Sequence, residues 1–188
     1  PADLTYCLES TDCKLWFGDV ANPTAVPCLT SADMDLVAAD QNSPALPMIK
    51  RDPEDEAILI FTSGTTGRPK AAILTHLGVL TALKTIAYSS ALITLDMARQ
   101  YNMDYETIAK LKPSPVTLLI FPLFHVSGCH AVFLSALLQG GKLILMEKWS
   151  PTAALQLMQD EKVTAFPGVP TMHWDLLRLE QRPSYDLS

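Results

Sequence analysis

The chain has 188 residues, enough for one sizeable core, and its 48% hydrophobic and 18% charged residues exclude a disordered segment. A formal charge of -6 and a pI near 5.1 exclude a broad nucleic-acid surface, which needs clustered Lys and Arg. The longest nearly apolar run, VTLLIFPLF at 116–124, is far short of the ~18 residues that span a bilayer, so no transmembrane segment is expected.

The N-terminal PADLTYCLES has neither the basic start nor the apolar middle of a signal peptide. It also lacks an initiator Met, so an excised or processed chain is expected. Cys7, Cys13, Cys28 and Cys129 form no C-x-x-C pair, which fits small apolar residues in a reducing, cytoplasmic setting.

In chain order, ADLTYCLESTD places Leu4, Cys7 and Leu8 at helical spacing and predicts a short helix before the strand-like CKLWF. Residues 21–53 carry prolines among polar residues and predict an irregular connection. AILIF at 57–61 reads as a strand entering the loop TSGTTGRPK, and AAIL at 71–74 as a second strand. HLGVLTALKTIAYSSALI at 76–93 is apolar enough for a long buried helix. Residues 96–115 are polar and hold Pro113 and Pro115, so a helix end and a linker are expected there.

From residue 116 the pattern becomes regular. VTLLIF predicts a short strand, and after the loop PLFHVSG comes the helix candidate CHAVFLSALLQ, ended by Gly140 and Gly141. KLILM is again strand-like. Ser150 before Pro151 is a good helix start, and PTAALQLMQDEK gives way to VTAF, the loop PGVP and a last helix TMHWDLLRLE. Strands and helices alternating at this spacing predict an α/β fold, a mostly parallel sheet with helices on both faces. A βαβα unit is expected over about 116–181. Ligands of such sheets bind beyond the carboxyl ends of the strands, which directs attention to the loops after AILIF, VTLLIF and VTAF.

The first of these is chemically the richest. Glycines let backbone N–H groups approach an anion, hydroxyls donate to phosphoryl oxygens, and a lysine adds positive charge. It is not a Walker A loop, since Lys70 is followed by Ala71 and Gly64 is in the wrong place. Local physics leaves a phosphate cradle and a plain glycine-rich turn equally open.

Residues 62–70, Thr-Ser-Gly-Thr-Thr-Gly-Arg-Pro-Lys, resemble throughout the signature loop of the adenylate-forming, or AMP-binding, superfamily. That superfamily includes acyl-CoA synthetases, luciferases and peptide-synthetase adenylation domains. Ala71 stands where the family usually has Gly, and Phe61 where Tyr is common. FPLFHVSG at 121–128 and GVPTM at 168–172 are similar to two later family motifs, in the family's order. LTYCLESTDCKLWFGD also resembles the helix and strand that precede the loop.

The resemblance implies an enzyme that activates a carboxylate with MgATP as an acyl-adenylate and passes the acyl group to coenzyme A. By this carry-over Thr62, Ser63, Gly64, Thr65, Thr66 and Gly67 cradle phosphates, Lys70 adds charge, and Mg2+ arrives with ATP, Thr66 being its candidate contact. His125 is the implied catalytic and acyl-contacting residue, and Gly168, Val169, Pro170 and Thr171 border the acyl and AMP moieties. FPLFHVSG and the apolar helices around it imply a fatty-acid–CoA ligase. An aryl-acid or amino-acid adenylating enzyme and a non-catalytic nucleotide- or acyl-binding module are the alternatives. The family's Tyr-Gly-x-Thr-Glu and Thr-Gly-Asp motifs, its hinge and its late catalytic lysine are absent. Residues 1–188 are therefore expected to be part of the N-terminal domain, without the C-terminal domain and inactive in isolation. Oligomeric state is open, a homo-oligomer included.

Other residues carry blander expectations. The cluster His125, Cys129 and His130 lacks a fourth ligand and a second shell, so no protein-held metal is expected. There is no G-x-S-x-G elbow and no base for Ser63 or Ser127, which argues against a hydrolase. DPEDE at 52–56 reads as a solvated turn, and Trp149 and Trp174 as packing residues.

Overall fold

The computed structural model describes residues 2–19, 24–39, 47–64, 67–112 and 114–187, and the chain divides into two compact units, Pro1–Leu74 and Thr75–Ser188. In the first, helix α1 (Ala2–Ser10) precedes two short paired strands, β1 (Trp16–Phe17) and β2 (Cys28–Leu29), which run parallel with Trp16 opposite Cys28. Helix α2 (Ser31–Ala39) follows, and then strands β3 (Glu56–Thr62) and β4 (Lys70–Thr75) pair in a sheet of their own. A connection as short as 63–69 can only join strands running in opposite directions, because a parallel crossover needs about a dozen residues or more.

Helix α2 corrects the expectation of an irregular 21–53. Its start is a reciprocal cap: the Thr30 hydroxyl accepts from the Asp33 amide at 3.3 Å, and Asp33 Oδ2 accepts from the Thr30 amide at 2.7 Å. The backbone and then the hydroxyl of Thr30 hold the Asp33 carboxyl below the usual carboxylate range. Proline content obscured a Thr-x-x-Asp signal that was present in the sequence. Part of 21–53 lies outside the described residues.

The second unit opens with helix α3 (His76–Gln100), capped by the Thr75 hydroxyl, which accepts from the Gly78 amide at 3.2 Å. It buries only Val79, Leu83, Thr94 and Ala98 among its described neighbours, while Leu77, Leu80, Tyr88, Leu92 and Ile93 are exposed. The long buried helix of the sequence reading is thus a mostly exposed one. Its length and composition are also enough to cross a membrane, with a mean hydropathy of 1.4. No uninterrupted apolar run marks it, because Lys84 and Ser89-Ser90 interrupt the apolar residues. The core helix of a soluble protein meets the same measure. The linker expected over 96–115 holds a further helix, α4 (Tyr105–Leu111), started by Asp104, whose carboxylate accepts from the Thr107 amide at 2.9 Å. Buried Thr94 then ties the two helices, its hydroxyl accepting from Lys112 Nζ at 2.6 Å.

Strand β5 (Val116–Leu119) pairs in parallel with β6 (Lys142–Leu145), Leu118 opposite Ile144. On the other side of β5 the predicted strand VTAF contributes only a parallel bridge between Thr117 and Ala165, with the Leu118 amide donating to the Ala165 carbonyl at 3.1 Å. The segment between β5 and β6 winds as a π-helix (Ser127–Leu134) that tightens into α5 (Ser135–Leu138), where a single α-helix was expected. Helices α6 (Pro151–Asp160) and α7 (Pro170–Arg178) complete the unit, and the Ser150 hydroxyl caps α6 by accepting from the Ala153 amide.

Side chains alternate across a strand, and β5 uses both faces. Leu118, fully buried, meets Ala154, Leu155 and Leu176 from α6 and α7, with Trp149 and Phe166 packed around them. Thr117 and Leu119 are buried towards the face where the π-helix packs. The expected parallel sheet with helices on both faces is therefore present. Leu118→Ala should cost about 3 kcal/mol of unfolding free energy, a deleted core leucine with little room to collapse. Urea unfolding followed by circular dichroism reads this, and a loss below about 1 kcal/mol would show that the site closes over the gap.

Candidate functional site

The loop between β3 and β4 is shaped by its first glycine. Gly64 has φ +61, and a Cβ placed there would stand 2.3 Å from the Arg68 carbonyl oxygen. The backbone therefore folds back on itself at a distance that no side chain permits. At the base of the turn the Thr62 hydroxyl donates to the Lys70 carbonyl at 3.3 Å. Gly67 also has positive φ, +84, but no described residue within 4 Å of the place a Cβ would take. Thr62, Ser63, Gly67 and Lys70 are exposed, so the hydroxyls and the ammonium have no burial penalty to overcome before meeting an anion. Thr65 and Thr66 lie outside the described residues. A tight glycine fold carrying exposed hydroxyls and one lysine suits a phosphate chain, whose charge can be met by backbone N–H groups and an ammonium together.

In the second unit the remaining candidates share one sheet edge. The parallel pairing of Thr117 with Ala165 sends the chain after β5, 120–128, and the chain after the bridge, 166–171, out at the same end of their strands. His125 is exposed, its ring 5.0 Å from that of Phe124, itself 63% exposed. His125 fixes the loop through its backbone instead, its amide donating to the Pro122 carbonyl and its carbonyl accepting from the Cys129 amide at 2.8 Å. The buried histidine is His130, 7% exposed, whose Nδ1 finds no hydrogen-bond partner among the described residues.

Gly128 lies in the first turn of the π-helix that follows this loop. A Cβ there would stand 2.3 Å from the Pro122 carbonyl oxygen and 2.8 Å from that of Phe121. The motif's glycine is thus a contact between two backbone segments, a partner relation the sequence could not show. In the 168–171 stretch, Gly168 lies against the Phe166 ring and His173 Nε2, while Val169, Pro170 and Thr171 are exposed at the start of α7. Phe166 is stacked on Trp149 at 5.6 Å and meets His173 edge-on at 5.2 Å. Trp149 is a packing residue as expected, anchored by its Nε1 donating to Asp175 Oδ2 at 2.9 Å. Trp174 departs from that expectation. It is 56% exposed, with the Arg178 guanidinium 5.3 Å above its ring.

The thiol nearest the candidate histidine is not an activated one. Burial pushes the Cys129 thiol above its ordinary range, away from the thiolate that nucleophilic chemistry needs. Among the described residues no group of three His, Cys, Asp or Glu side chains could hold a metal ion.

Comparison with known proteins supplies the kinship. The 4-coumarate–CoA ligase 3 of Arabidopsis thaliana is 32% identical over 166 residues, covering 88% of this chain and 27% of its own length. The long-chain-fatty-acid–CoA ligase of Bacillus subtilis (strain 168) is 35% identical over 140 residues, 74% of this chain and 22% of its own. The chain thus spans about a quarter of the length of the curated relatives it matches. Among solved structures, the inhibitor-bound N-terminal domain of FACL13 from Mycobacterium tuberculosis superposes with a TM-score of 0.67 at 21% identity. It covers 99% of this chain and 45% of that one, and it shows the fold alone. The family described as AMP-binding enzyme matches residues 1–188. Matched along its whole length by that family, and over most of it by relatives above 30% identity, the chain belongs to the AMP-binding enzymes.

Proposed function

We propose that the chain is part of the N-terminal domain of an ATP-dependent acid–thiol ligase. The observation that carries this reading is the Gly64 turn closed on the Arg68 carbonyl, with exposed hydroxyls and Lys70, in a chain of this family. In the reaction, a carboxylate oxygen attacks the α-phosphorus of ATP and the bond to the β-phosphate's bridging oxygen breaks. Pyrophosphate leaves and an acyl-adenylate remains, whose carbonyl is then attacked by the thiol of coenzyme A as AMP departs. Thr62, Ser63, Gly64, Thr65, Thr66 and Gly67 hold the β- and γ-phosphates through amides and hydroxyls, and Lys70 offsets the charge gathering on the leaving pyrophosphate. Mg2+ would accompany the triphosphate and offset its charge, and Thr66 is the residue of this loop that would hold it through its hydroxyl. His125 borders the reacting carboxylate, and Gly168, Val169, Pro170 and Thr171 line the acyl and AMP moieties.

The acid we favour is a fatty acid, supported by the Bacillus relative and the apolar helices behind the His125 loop. A hydroxycinnamate-like acid is the second reading, supported by the relatedness to a 4-coumarate–CoA ligase. The enzyme containing this chain, given ATP, Mg2+, coenzyme A and either palmitate or 4-coumarate, should release pyrophosphate and form the thioester of one of them. Lys70→Ala should slow this about ten- to hundredfold, the loss of one or two charge-assisted hydrogen bonds. The 188 residues alone should show no carboxylate-dependent ATP–pyrophosphate exchange, since they span a quarter of the relatives' length. Failure of the whole enzyme to release pyrophosphate with any carboxylate would overturn the reading.

A further inference from the structure

We propose that Arg68 of the 62–70 loop is a positioning residue whose guanidinium, clasped over the Tyr6 ring of α1, sets the orientation in which Lys70 meets phosphate. The guanidinium carbon lies 5.7 Å from the ring centroid, inside the range where the ring's negative face attracts a cation. Both residues line a cavity of about 570 Å3 with Asp3, Thr5, Glu9 and Pro69. The two carboxylates place negative charge on the same side as the guanidinium without forming an ion pair with it.

Main chain and side chain of Arg68 act together. Its carbonyl oxygen is the atom on which the Gly64 turn closes, so the residue that shuts the loop also fastens it to α1. Pro69 follows with its φ held by the ring, which couples any shift of Arg68 to Lys70. The Lys70 carbonyl is in turn bound by the Thr62 hydroxyl. A planar guanidinium stacks on an aromatic face in a way an ammonium does not, so lysine at 68 would replace the charge but only part of the clasp.

The functional half of this proposal rests on the phosphate-binding reading above, whereas the clasp is testable without it. Trypsin does not cut Arg68–Pro69, because proline follows, so the cut after Lys70, read by mass spectrometry on the chain, reports opening of the loop. Cleavage that follows the open population scales with the lost stabilisation. For an exposed cation–π pair Arg68→Gln and Tyr6→Leu should each speed that cut about two- to fivefold. Arg68→Lys should fall between, Tyr6→Phe should match the parent chain, and the double variant should cut no faster than the faster single one. Arg68 is exposed, so Arg68→Gln keeps the test valid even if Tyr6→Leu fails to fold.

In the enzyme containing the chain, Arg68→Gln should raise the KM for ATP about two- to fivefold with less change in kcat, and Arg68→Lys should restore part of it. An unchanged Lys70 cut in Arg68→Gln overturns the clasp whatever ATP does. A faster cut with an unchanged KM for ATP leaves the clasp standing and overturns the link from loop to phosphate.

Discussion

Gly64→Ala should abolish most of the ATP-dependent chemistry of the enzyme that contains this chain, with pyrophosphate release falling about a hundredfold or more. Two costs combine. An alanine at φ +61 sits in the left-handed region, which costs a side-chain-bearing residue about 1–2 kcal/mol. The larger cost is steric, because the new Cβ would lie 2.3 Å from the Arg68 carbonyl oxygen, a backbone atom that cannot rotate aside. The loop must open, and with it go the amide and hydroxyl contacts to phosphate, each contributing roughly 1.5–3 kcal/mol. Losing two of them already accounts for the hundredfold. Gly67→Ala is the internal comparison. It has the same sign of φ but nothing among the described residues within 4 Å of its new Cβ, so it carries the strain without the collision and should lose about tenfold or less. Calorimetry of ATP binding alongside the pyrophosphate assay separates binding from turnover. Parent-like ATP affinity in Gly64→Ala would show that the turn is not the phosphate cradle.

Gly128→Ala should be the most destabilising single methyl group added in the second unit, costing about 3 kcal/mol. Here φ is not at issue. The added Cβ would press on the carbonyl oxygens of Pro122 and Phe121 at 2.3 and 2.8 Å and on the Pro122 carbonyl carbon at 2.9 Å. Those carbonyls belong to the loop whose Pro122 carbonyl also accepts the His125 amide, so relief of the clash must move the candidate histidine as well. Urea and thermal unfolding read the first effect, and the KM for the carboxylic acid reads the second. Ser127→Ala, one residue earlier and exposed, should stay within about 0.5 kcal/mol of the parent. Equal stability of the Gly128 and Ser127 variants would mean that the loop yields freely and does not hold His125.

Much of the architecture was legible because it is local. The alternation of apolar runs and breakers marked β3, β4, β5, β6, α6 and α7, and Ser150-Pro151 marked a helix start that the structure bears out. Two helices were missed although their signals were present. Thr30-x-x-Asp33 and Asp104-x-x-Thr107 each satisfy the open amides of a first turn, but proline-rich and polar surroundings outweighed them in a reading based on periodicity. The burial of α3 was misjudged for another reason. An apolar stripe says that a helix has a face to cover, not that a partner covers it, and here Leu77, Leu80, Leu92 and Ile93 remain exposed.

By itself the sequence determined most of the order of elements, the family and the residue types that the 62–70 loop presents, since these follow from residue types at fixed covalent spacing. Tertiary structure alone decided which groups face one another. It put Thr117 beside Ala165, so that the loops 120–128 and 166–171 leave the sheet at one edge. It turned His125 outward and buried His130 five residues later. It set Gly64 on the Arg68 carbonyl and Gly128 on the Pro122 carbonyl. These relations depend on how the backbone turns and packs in space, and they exist only once the chain has folded.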